Sequence, residues 1–466
     1  MTVFNNRRYY YFLVAYVILN YIFHVFSVPD AVFLHGADAS RYYTSALSLS
    51  NGNGFGDLLY TVPVYPFFLS IHYKILGFHY GNEVLIVTQS ILLYLTGIVA
   101  GKLADQILPY SIGWLVMLLV ILNPNAIINA HLVQTESLFT LFLVIYLYAL
   151  IQLIKKGGDG IIILAFFALL VSLTRPAGMY VMLAFLIPSM ALRLKHISWR
   201  KLLSINLIYY SILLSGLGLW SLNNYNKHGE FFVTAHEGGV FHDQYIALLQ
   251  YGKNMSILEA ENNADDVFKN IVIKEEPACG DKASGFKCRK IIAKAYIKSI
   301  LNEDLDVILK ASVSSFINLM FSGGASNLAN YYGIDNKASI LSFEKSSGSM
   351  LSFSKMVKFI DSVNIKYFVA LVLFWGYAIT TKILLVVGLV YLFKNSNNKH
   401  LSIVVLFYVL LFAAEYLFLG QSRWRVPLEP MIMIFSALGL YSIISHYKNN
   451  INYGSDSSTS SKKTNF

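Results

Sequence analysis

Charged residues are scarce in this sequence. Only 13% of its 466 residues are Asp, Glu, Lys or Arg, which is about half the share found in soluble globular domains. Because 56% of the residues are hydrophobic, this deficit excludes an intrinsically disordered chain and a string of ordinary soluble domains. The remaining net charge is positive, at +10. In so apolar a chain, the excess indicates orientation charges and contacts with anionic headgroups or phosphates rather than a nucleic-acid partner.

Cysteine is scarce too. The chain contains only Cys279 and Cys288, too few for the disulfide framework of a small secreted protein. They are separated by eight residues, and we predict one disulfide between them in an oxidising compartment. The alternatives are two free thiols or a metal pair, although no histidine neighbours either cysteine.

Motifs for nucleotide, hydrolase and metal chemistry are missing. The sequence has no Walker loop, no G-x-G-x-x-G after a strand, no G-x-S-x-G and no His/Cys pattern with metal-ligand spacing. ATP-driven transport and chemistry on soluble nucleotides therefore lack support.

Long apolar runs dominate instead. Mean hydropathy is +0.54, and runs of roughly 18–25 residues, each able to cross a bilayer as a helix, recur along the chain. We predict an all-α polytopic membrane protein with about ten spans, at 10–28, 84–101, 110–126, 136–154, 160–175, 177–192, 202–222, 368–393, 401–419 and 426–446. Lys and Arg number 14 in the segments placed inside and five in the short outer loops. This asymmetry predicts that both termini are cytoplasmic.

The spans divide the chain into three regions and a tail. Residues 1–222 form an N-terminal membrane module whose first outer loop is 29–83, and the first span is predicted to be an uncleaved signal anchor. The segment 223–367 is too long to be a linker, and we predict that it forms a small domain on the outer face. Its patterning predicts helices at 240–252, 288–301 and 304–321. Residues 368–446 supply the C-terminal spans, and 447–466 predict a disordered cytoplasmic tail.

The first outer loop carries the most informative residues. Asp38, Arg41 and Tyr42 would share one face of a short helix. A guanidinium offers a planar pair of donors that fits phosphate, and a carboxylate can act as a general base toward a sugar hydroxyl. Asp57 is a second carboxylate in this loop. The alternative is a surface ion pair between Asp38 and Arg41, which would contribute little.

Further ionisable groups lie at the predicted outer ends of later spans. They are Glu136 at span four, Arg175 between spans five and six, and Arg423, Arg425 and Glu429 at span ten. Such groups often mark a substrate path because they are costly near membrane depth, although each could also be a snorkelling residue. Lys382 is predicted near mid-bilayer, where it needs an anionic partner, an aqueous cavity or a lipid phosphate.

In order and in membrane side, these motifs resemble the C-type (GT-C) integral membrane glycosyltransferases, and above all the group of the aminoarabinose transferases and protein O-mannosyltransferases. That family has an Asp just after span one, often followed by Arg and Tyr, as at Asp38, Arg41 and Tyr42. Other stretches that resemble the family are 63–67, 123–124, 136–139, 174–176 and 423–430. Thr61 and Val62 stand where the aminoarabinose branch carries a Lys, so the resemblance does not transfer that branch's specificity.

The resemblance implies a transferase that moves a sugar, with inversion, from an undecaprenyl-phosphate type of donor to a glycan, lipid or protein acceptor. It implies that Asp38 is the general base, working on the outer face of a bacterial cytoplasmic membrane. We assign contacts with the donor phosphate to Arg41, Arg175, Lys382, Arg423 and Arg425. We assign other substrate contacts to Tyr42, Asp57, Tyr65, Glu136 and Glu429. No cofactor or metal is predicted, although some relatives use a divalent ion, for which Asp57 or Glu136 could supply a ligand.

Two other functions remain open. A lipid-linked sugar flippase or another secondary transporter also has many spans, but it tends to show inverted repeats and broken mid-membrane helices, and no halves of this chain match. An O-antigen ligase or polymerase also acts on lipid-linked glycans, with Arg and His residues in a late outer loop. His236 and His242 lie in such a loop here.

Overall fold

A computed structural model describes residues 6–27, 38–56, 61–273, 286–324, 328, 331, 365–395 and 399–459. Every regular element within these ranges is helical, which confirms the predicted all-α class. In chain order the α-helices are α1 (Asn6–Ser27), α2 (Ala39–Ser50), α3 (Val64–Ile107), α4 (Gly113–Ile121), α5 (Pro124–Ala130), α6 (Glu136–Lys155), α7 (Ile161–Thr174), α8 (Pro176–Leu183), α9 (Leu186–Ser189), α10 (Trp199–His228), α11 (Glu237–Lys253), α12 (Ile257–Val267), α13 (Phe286–Leu301), α14 (Leu305–Phe321), α15 (Ile365–Asn395), α16 (Lys399–Glu415), α17 (Ser422–Arg425) and α18 (Glu429–Thr459).

The chain is a multi-pass membrane protein. Among the described residues, six helices are long and apolar enough to cross a membrane, or seven if one bent pair is a single span. This count is below the predicted ten because several apolar runs fold into shorter or broken helices. Helix α7 has 14 residues, and α4 and α5 meet at 57°. The break lies at Asn123 and Pro124. The Asn123 side chain accepts hydrogen bonds from the N–H groups of Asn125 and Ala126 and so caps a new helix, in which Pro124 is the first residue.

Helix α3 connects the first outer loop directly to a membrane span. It kinks at Gly77, whose φ of 72° suits a residue without a side chain. Before the kink, Tyr65, Leu69 and Tyr73 are buried together with Tyr42 of α2 in a small apolar cluster. This packing fixes α2, and therefore the residue at its N-terminus, against the membrane helices.

Helices α15 and α18 pack closely at a pair of glycines. A Cβ atom on Gly388 would collide with the carbonyl oxygen of Phe435, and one on Gly439 would collide with that of Leu384. Small residues allow such backbone approach in lipid, where apolar burial gives helices little reason to associate. Helix α18 then continues to Thr459, so the segment for which we predicted a disordered tail is helical over most of its length.

The region that we predicted to lie on the outer face, 223–367, contains in its described part the three predicted helices, as α11, α13 and α14, together with an unpredicted α12. A capping box between Ser256 and Glu259 begins α12. Tyr296 of α13 donates a hydrogen bond to the backbone oxygen of Ala264 on α12 at 3.0 Å. Cys288 is disulfide-bonded, and its predicted partner, Cys279, lies outside the described residues.

Candidate active site

Asp38 is the N-cap residue of α2, the short helix that the sequence predicted around Asp38, Arg41 and Tyr42. Its backbone oxygen accepts hydrogen bonds from the N–H groups of Arg41 and Tyr42, and these bonds start the helix. Its two carboxylate oxygens have different partners. Arg41 Nη1 lies 3.2 Å from Oδ1, and Arg423 Nη2 lies 2.9 Å from Oδ2. The pair with Arg41 is therefore part of a larger cluster that reaches the C-terminal membrane helices.

Arg423 joins Asp38 to a second carboxylate. Its Nε donates a hydrogen bond to Oε1 of Glu136 at 2.6 Å, and Arg175 Nη1 donates to the same oxygen at 3.2 Å. Glu136 is fully buried and begins α6, where the helix dipole favours a negative charge. Its other oxygen, Oε2, is buried without a hydrogen-bond partner. Four predicted site residues from distant parts of the chain thus meet, and we call Asp38, Glu136, Arg175 and Arg423 the acid–arginine cluster.

An aromatic platform that the sequence did not predict supports the two buried arginines. The guanidinium of Arg175 lies 4.4 Å from the ring centroid of Trp424, and that of Arg423 lies 5.3 Å from it. Trp424 stacks on Tyr416 with 4.7 Å between ring centroids. Such contacts stabilise guanidinium groups and restrict their orientation. The position of Trp424 between two arginines in the sequence was the available signal.

Tyr42 and Tyr65 lie one behind the other next to Asp38. Their rings are edge-to-face with centroids 5.1 Å apart, and the Tyr65 hydroxyl donates to Gln89 Oε1 at 3.1 Å. Gln89 in turn donates to the backbone oxygens of Ala130 and Leu132. Tyr65 is thus tied into the core and supports Tyr42. Burial, together with the Asp38 carboxylate, raises the pKa of Tyr42 to about 12, so its hydroxyl stays neutral.

The arginines decide the charge state of Asp38. Burial alone would raise the pKa of Asp38, but the guanidinium groups of Arg423 and Arg41 lower it below its ordinary value. His236, the residue before α11, also interacts electrostatically with Asp38. Burial lowers the pKa of His236 to about 4, so this imidazole is neutral near pH 7. His242, by contrast, is paired with Asp243 in an exposed contact of 3.1 Å.

Three other predicted site residues form a separate network. Arg425 is paired with Oε1 of Glu429, and Lys382 Nζ lies 3.1 Å from Oε2 of the same carboxylate. Arg425 Nη1 also donates to the backbone oxygens of Leu319 and Met320, at 2.7 and 2.9 Å. We call Lys382, Arg425 and Glu429 the buried triad. The structure therefore places these residues against one another rather than in the acid–arginine cluster.

A cavity of about 140 Å³ lies between α14 and α16. Its lining is mostly apolar and consists of Ser312, Phe316, Leu319, Leu410, Ala413, Ala414, Tyr416 and Leu417. Because Tyr416 stacks on Trp424, the cavity ends at the platform that carries Arg175 and Arg423. An apolar chain in this cavity would bring its polar end to these arginines.

Two predictions cannot be placed. Asp57 lies outside the described residues, so its part in the site remains a prediction. No group of three or more His, Cys, Asp or Glu side chains in the described ranges could hold a metal ion, and the carboxylates of Asp38 and Glu136 face guanidinium groups. That the reaction needs no metal stays a prediction.

The fold is similar to solved membrane glycosyltransferase structures. No protein-family model matches the chain, and no curated sequence matches it significantly. The apo oligosaccharyltransferase of Archaeoglobus fulgidus aligns with a TM-score of 0.51 at 13% identity, over 97% of this chain and 53% of that one. The archaeal oligosaccharyltransferase AglB of the same organism, in complex with an inhibitory peptide and a dolichol-phosphate, gives 0.50 at 12%, over 95% and 52%. The apo structure of ArnT from Cupriavidus metallidurans aligns more loosely, at 0.35 and 12%, over 92% and 77%.

The two alignments with oligosaccharyltransferase structures confirm the predicted fold: the chain shares the membrane fold of those structures. It spans about half the length of the oligosaccharyltransferase that it matches.

Proposed function

We propose that this chain transfers a sugar from a polyprenyl-phosphate donor to a hydroxyl group of an envelope glycan, lipid or protein, on the outer face of a bacterial cytoplasmic membrane. The observation that carries the proposal is the acid–arginine cluster, in which a partly exposed carboxylate, Asp38, lies within 2.9 Å of a buried arginine, Arg423. A base and a phosphate-binding cation are thus side by side. The dolichol-phosphate in one structure of similar fold supports a lipid phosphate as the leaving group.

The donor phosphate would bind between Arg423, Arg175 and Arg41. Guanidinium groups hold phosphate oxygens through paired hydrogen bonds, and they would stabilise the charge that develops on the phosphate as it leaves. The part of the polyprenyl chain nearest the phosphate would occupy the apolar cavity that ends at Tyr416 and Trp424. Tyr42 and Glu136, whose Oε2 has no hydrogen-bond partner, would contact the sugar.

Asp38 would act as the general base. It would take the proton of the acceptor hydroxyl, whose oxygen attacks the anomeric carbon. The bond from that carbon to the phosphate oxygen then breaks, and polyprenyl phosphate leaves with the bonding pair. Because Arg41 and Arg423 lower the pKa of Asp38, the carboxylate is a weak base until the phosphate draws these cations away. Donor binding would therefore precede activation of the acceptor.

The test is mass spectrometry of envelope glycans from cells that lack this chain, after return of the wild type, Asp38→Asn or Asp243→Asn. Asp243 is an exposed aspartate paired with His242, so its variant is a matched control for loss of one carboxylate. We expect one sugar unit to disappear, and only the wild type and Asp243→Asn to restore it. Restoration by Asp38→Asn at normal expression would refute the base assignment and favour a transporter.

A ligase or polymerase is the second candidate, because His236 is buried and its protonated form would act on the Asp38 carboxylate. His236→Ala and His242→Ala separate the two functions. Loss of activity in His236→Ala, with Asp38 dispensable, would favour the ligase. His242 serves as the control because its contact with Asp243 is exposed.

A further inference from the structure

Arg425 is almost fully committed to protein partners. Its Nε donates to Glu429, its Nη1 to Leu319 and Met320, and its Nη2 to the backbone oxygen of Ser322 at 3.0 Å. These four bonds use most of the roughly five N–H donors of a guanidinium. Arg425 is 2% exposed, so it offers little to a ligand.

Glu429 and Lys382 are committed in the same way. Both oxygens of Glu429 are engaged, one by Arg425 and the other by Lys382 at 3.1 Å. Lys382 and Glu429 are each 3% exposed. The two cations face one carboxylate, and the carbonyl groups at the C-terminus of α14 supply the remaining negative potential. The buried triad is therefore balanced without any ligand.

The triad adjoins the residue that would bind the donor. Arg423 and Arg425 lie on the same single-turn helix, α17. Arg425 holds one side of this turn to the end of α14, and Asn125 holds the other through a 2.9 Å hydrogen bond from its Nδ2 to the backbone oxygen of Ser422. The direction of the Arg423 guanidinium depends on how firmly this turn is held.

We propose that Lys382, Glu429 and Arg425 form a positioning network that fixes the turn carrying Arg423, and that none of the three binds the donor. This inference rests on the proposed function only in giving Arg423 the phosphate contact. The Arg-x-Arg segment thereby has two separate roles. Arg423 faces the substrate, whereas Arg425 locks its own turn to the outer helix α14 and, through Glu429, to Lys382 in the membrane.

The experiment compares Glu429→Gln, Lys382→Met and the double variant in full-length purified protein. Glu429→Gln leaves two buried cations without an anion, so we expect it to melt lowest and to lose at least about tenfold in turnover per folded molecule. Lys382→Met keeps the neutral pair of Arg425 and Glu429 and should stay within about threefold of the wild type. Adding Lys382→Met to Glu429→Gln removes one of the two unpaired cations and restores the net charge of the wild-type triad, so the double variant should recover part of the stability and turnover.

Two measurements make the test decisive. Turnover and the donor KM are measured well below each melting temperature, because a loss of stability alone would leave turnover per folded molecule unchanged there. Polyprenyl phosphate in detergent is the binding probe. If Lys382→Met keeps the wild-type melting temperature yet weakens probe binding about tenfold or more, or if the double variant is worse than Glu429→Gln, the positioning network is refuted. The order of melting temperatures holds even if no glycosyl transfer occurs, so failure of the proposed function would be recognised separately.

Discussion

Arg423 and Arg425 are two residues apart in the sequence, but each belongs to a different cluster of charged side chains. The two clusters differ in how completely their polar atoms are hydrogen-bonded. In the buried triad, both oxygens of Glu429 have partners within the protein. In the acid–arginine cluster, Glu136 Oε2 has none, and Asp38 keeps 23% of its side chain exposed. Unsatisfied buried polar atoms are costly, so their persistence in one cluster and not in the other supports our proposal that a substrate supplies the missing partners there.

Disrupting the packing of α15 on α18 should have the most severe effect, because Lys382 and Glu429 of the buried triad lie on these two helices. Gly388→Val places a side chain against the carbonyl oxygen of Phe435, and overpacking of this kind costs about 1–3 kcal/mol or more where the backbone cannot move. We expect loss of the buried triad and a steep fall in the yield of monodisperse protein on size-exclusion chromatography. Gly376→Val on the same helix is the control, because no atom lies within 4 Å of its Cβ position. Equal yields for both variants would contradict the close packing.

The two arginines of the segment provide the sharpest contrast. Arg423→Gln should lower kcat/KM for transfer by roughly 10²–10³-fold, the usual effect of losing one transition-state donor. Its cost in melting temperature should be the smaller one, because buried Glu136 keeps Arg175 as a partner and Asp38 is partly exposed. Arg425→Gln should lower the melting temperature more, because it leaves three backbone oxygens of residues 319–322 and one carboxylate oxygen without their donor. Thermal melting and transfer kinetics on both variants test this. A reversed pattern would exchange the two roles.

Substitution of Trp424 tests whether the aromatic platform beneath the arginines contributes to donor affinity. Trp424→Leu removes the ring that lies 4.4 Å from the Arg175 guanidinium, and a contact of about 1 kcal/mol corresponds to a loss of roughly fivefold in donor affinity. The readout is the KM for the donor at constant acceptor. Trp114→Leu, at a largely exposed tryptophan, is the control. An unchanged KM would mean that the ring only fills space.

The smallest expected effect concerns pH. Arg41 lowers the pKa of Asp38, so Arg41→Gln should raise that pKa and move the acid limb of kcat/KM to higher pH. At neutral pH Asp38 is ionised in both proteins, and this effect disappears. The shift should be a fraction of a pH unit because Arg41 is 47% exposed and well screened. Arg200→Gln, an exposed arginine on α10, should leave the limb unmoved.

Local sequence patterns predicted the local structure well. The spacing of Asp38, Arg41 and Tyr42 predicted a short helix, which is present as α2. The ion pair between Asp38 and Arg41, which was the alternative to a substrate site, is also present. The patterning of the outer region predicted α11, α13 and α14. Each of these features depends on residues within a few turns of one another, where helical periodicity is informative.

Local patterns could not predict contacts between segments that are distant in the sequence. Arg423 and Glu136 are 287 positions apart, so nothing in either segment could pair them. The same limit applies to Lys382, Arg425 and Glu429, whose contacts with substrate stay a prediction. The sequence shows that a buried charge needs a partner, but only the fold shows that these three residues partner one another.

The buried triad has a consequence for biosynthesis. Lys382 lies near the middle of α15, and its partner Glu429 is 47 residues further along the chain. At about 5–20 residues per second, α15 is synthesised some 2–9 s before that carboxylate exists. During this interval the helix must enter the bilayer with an unneutralised ammonium, which costs about 2.5–3.5 kcal/mol at its centre. The apolar character of the rest of this span is what allows the helix to insert before its counter-ion arrives.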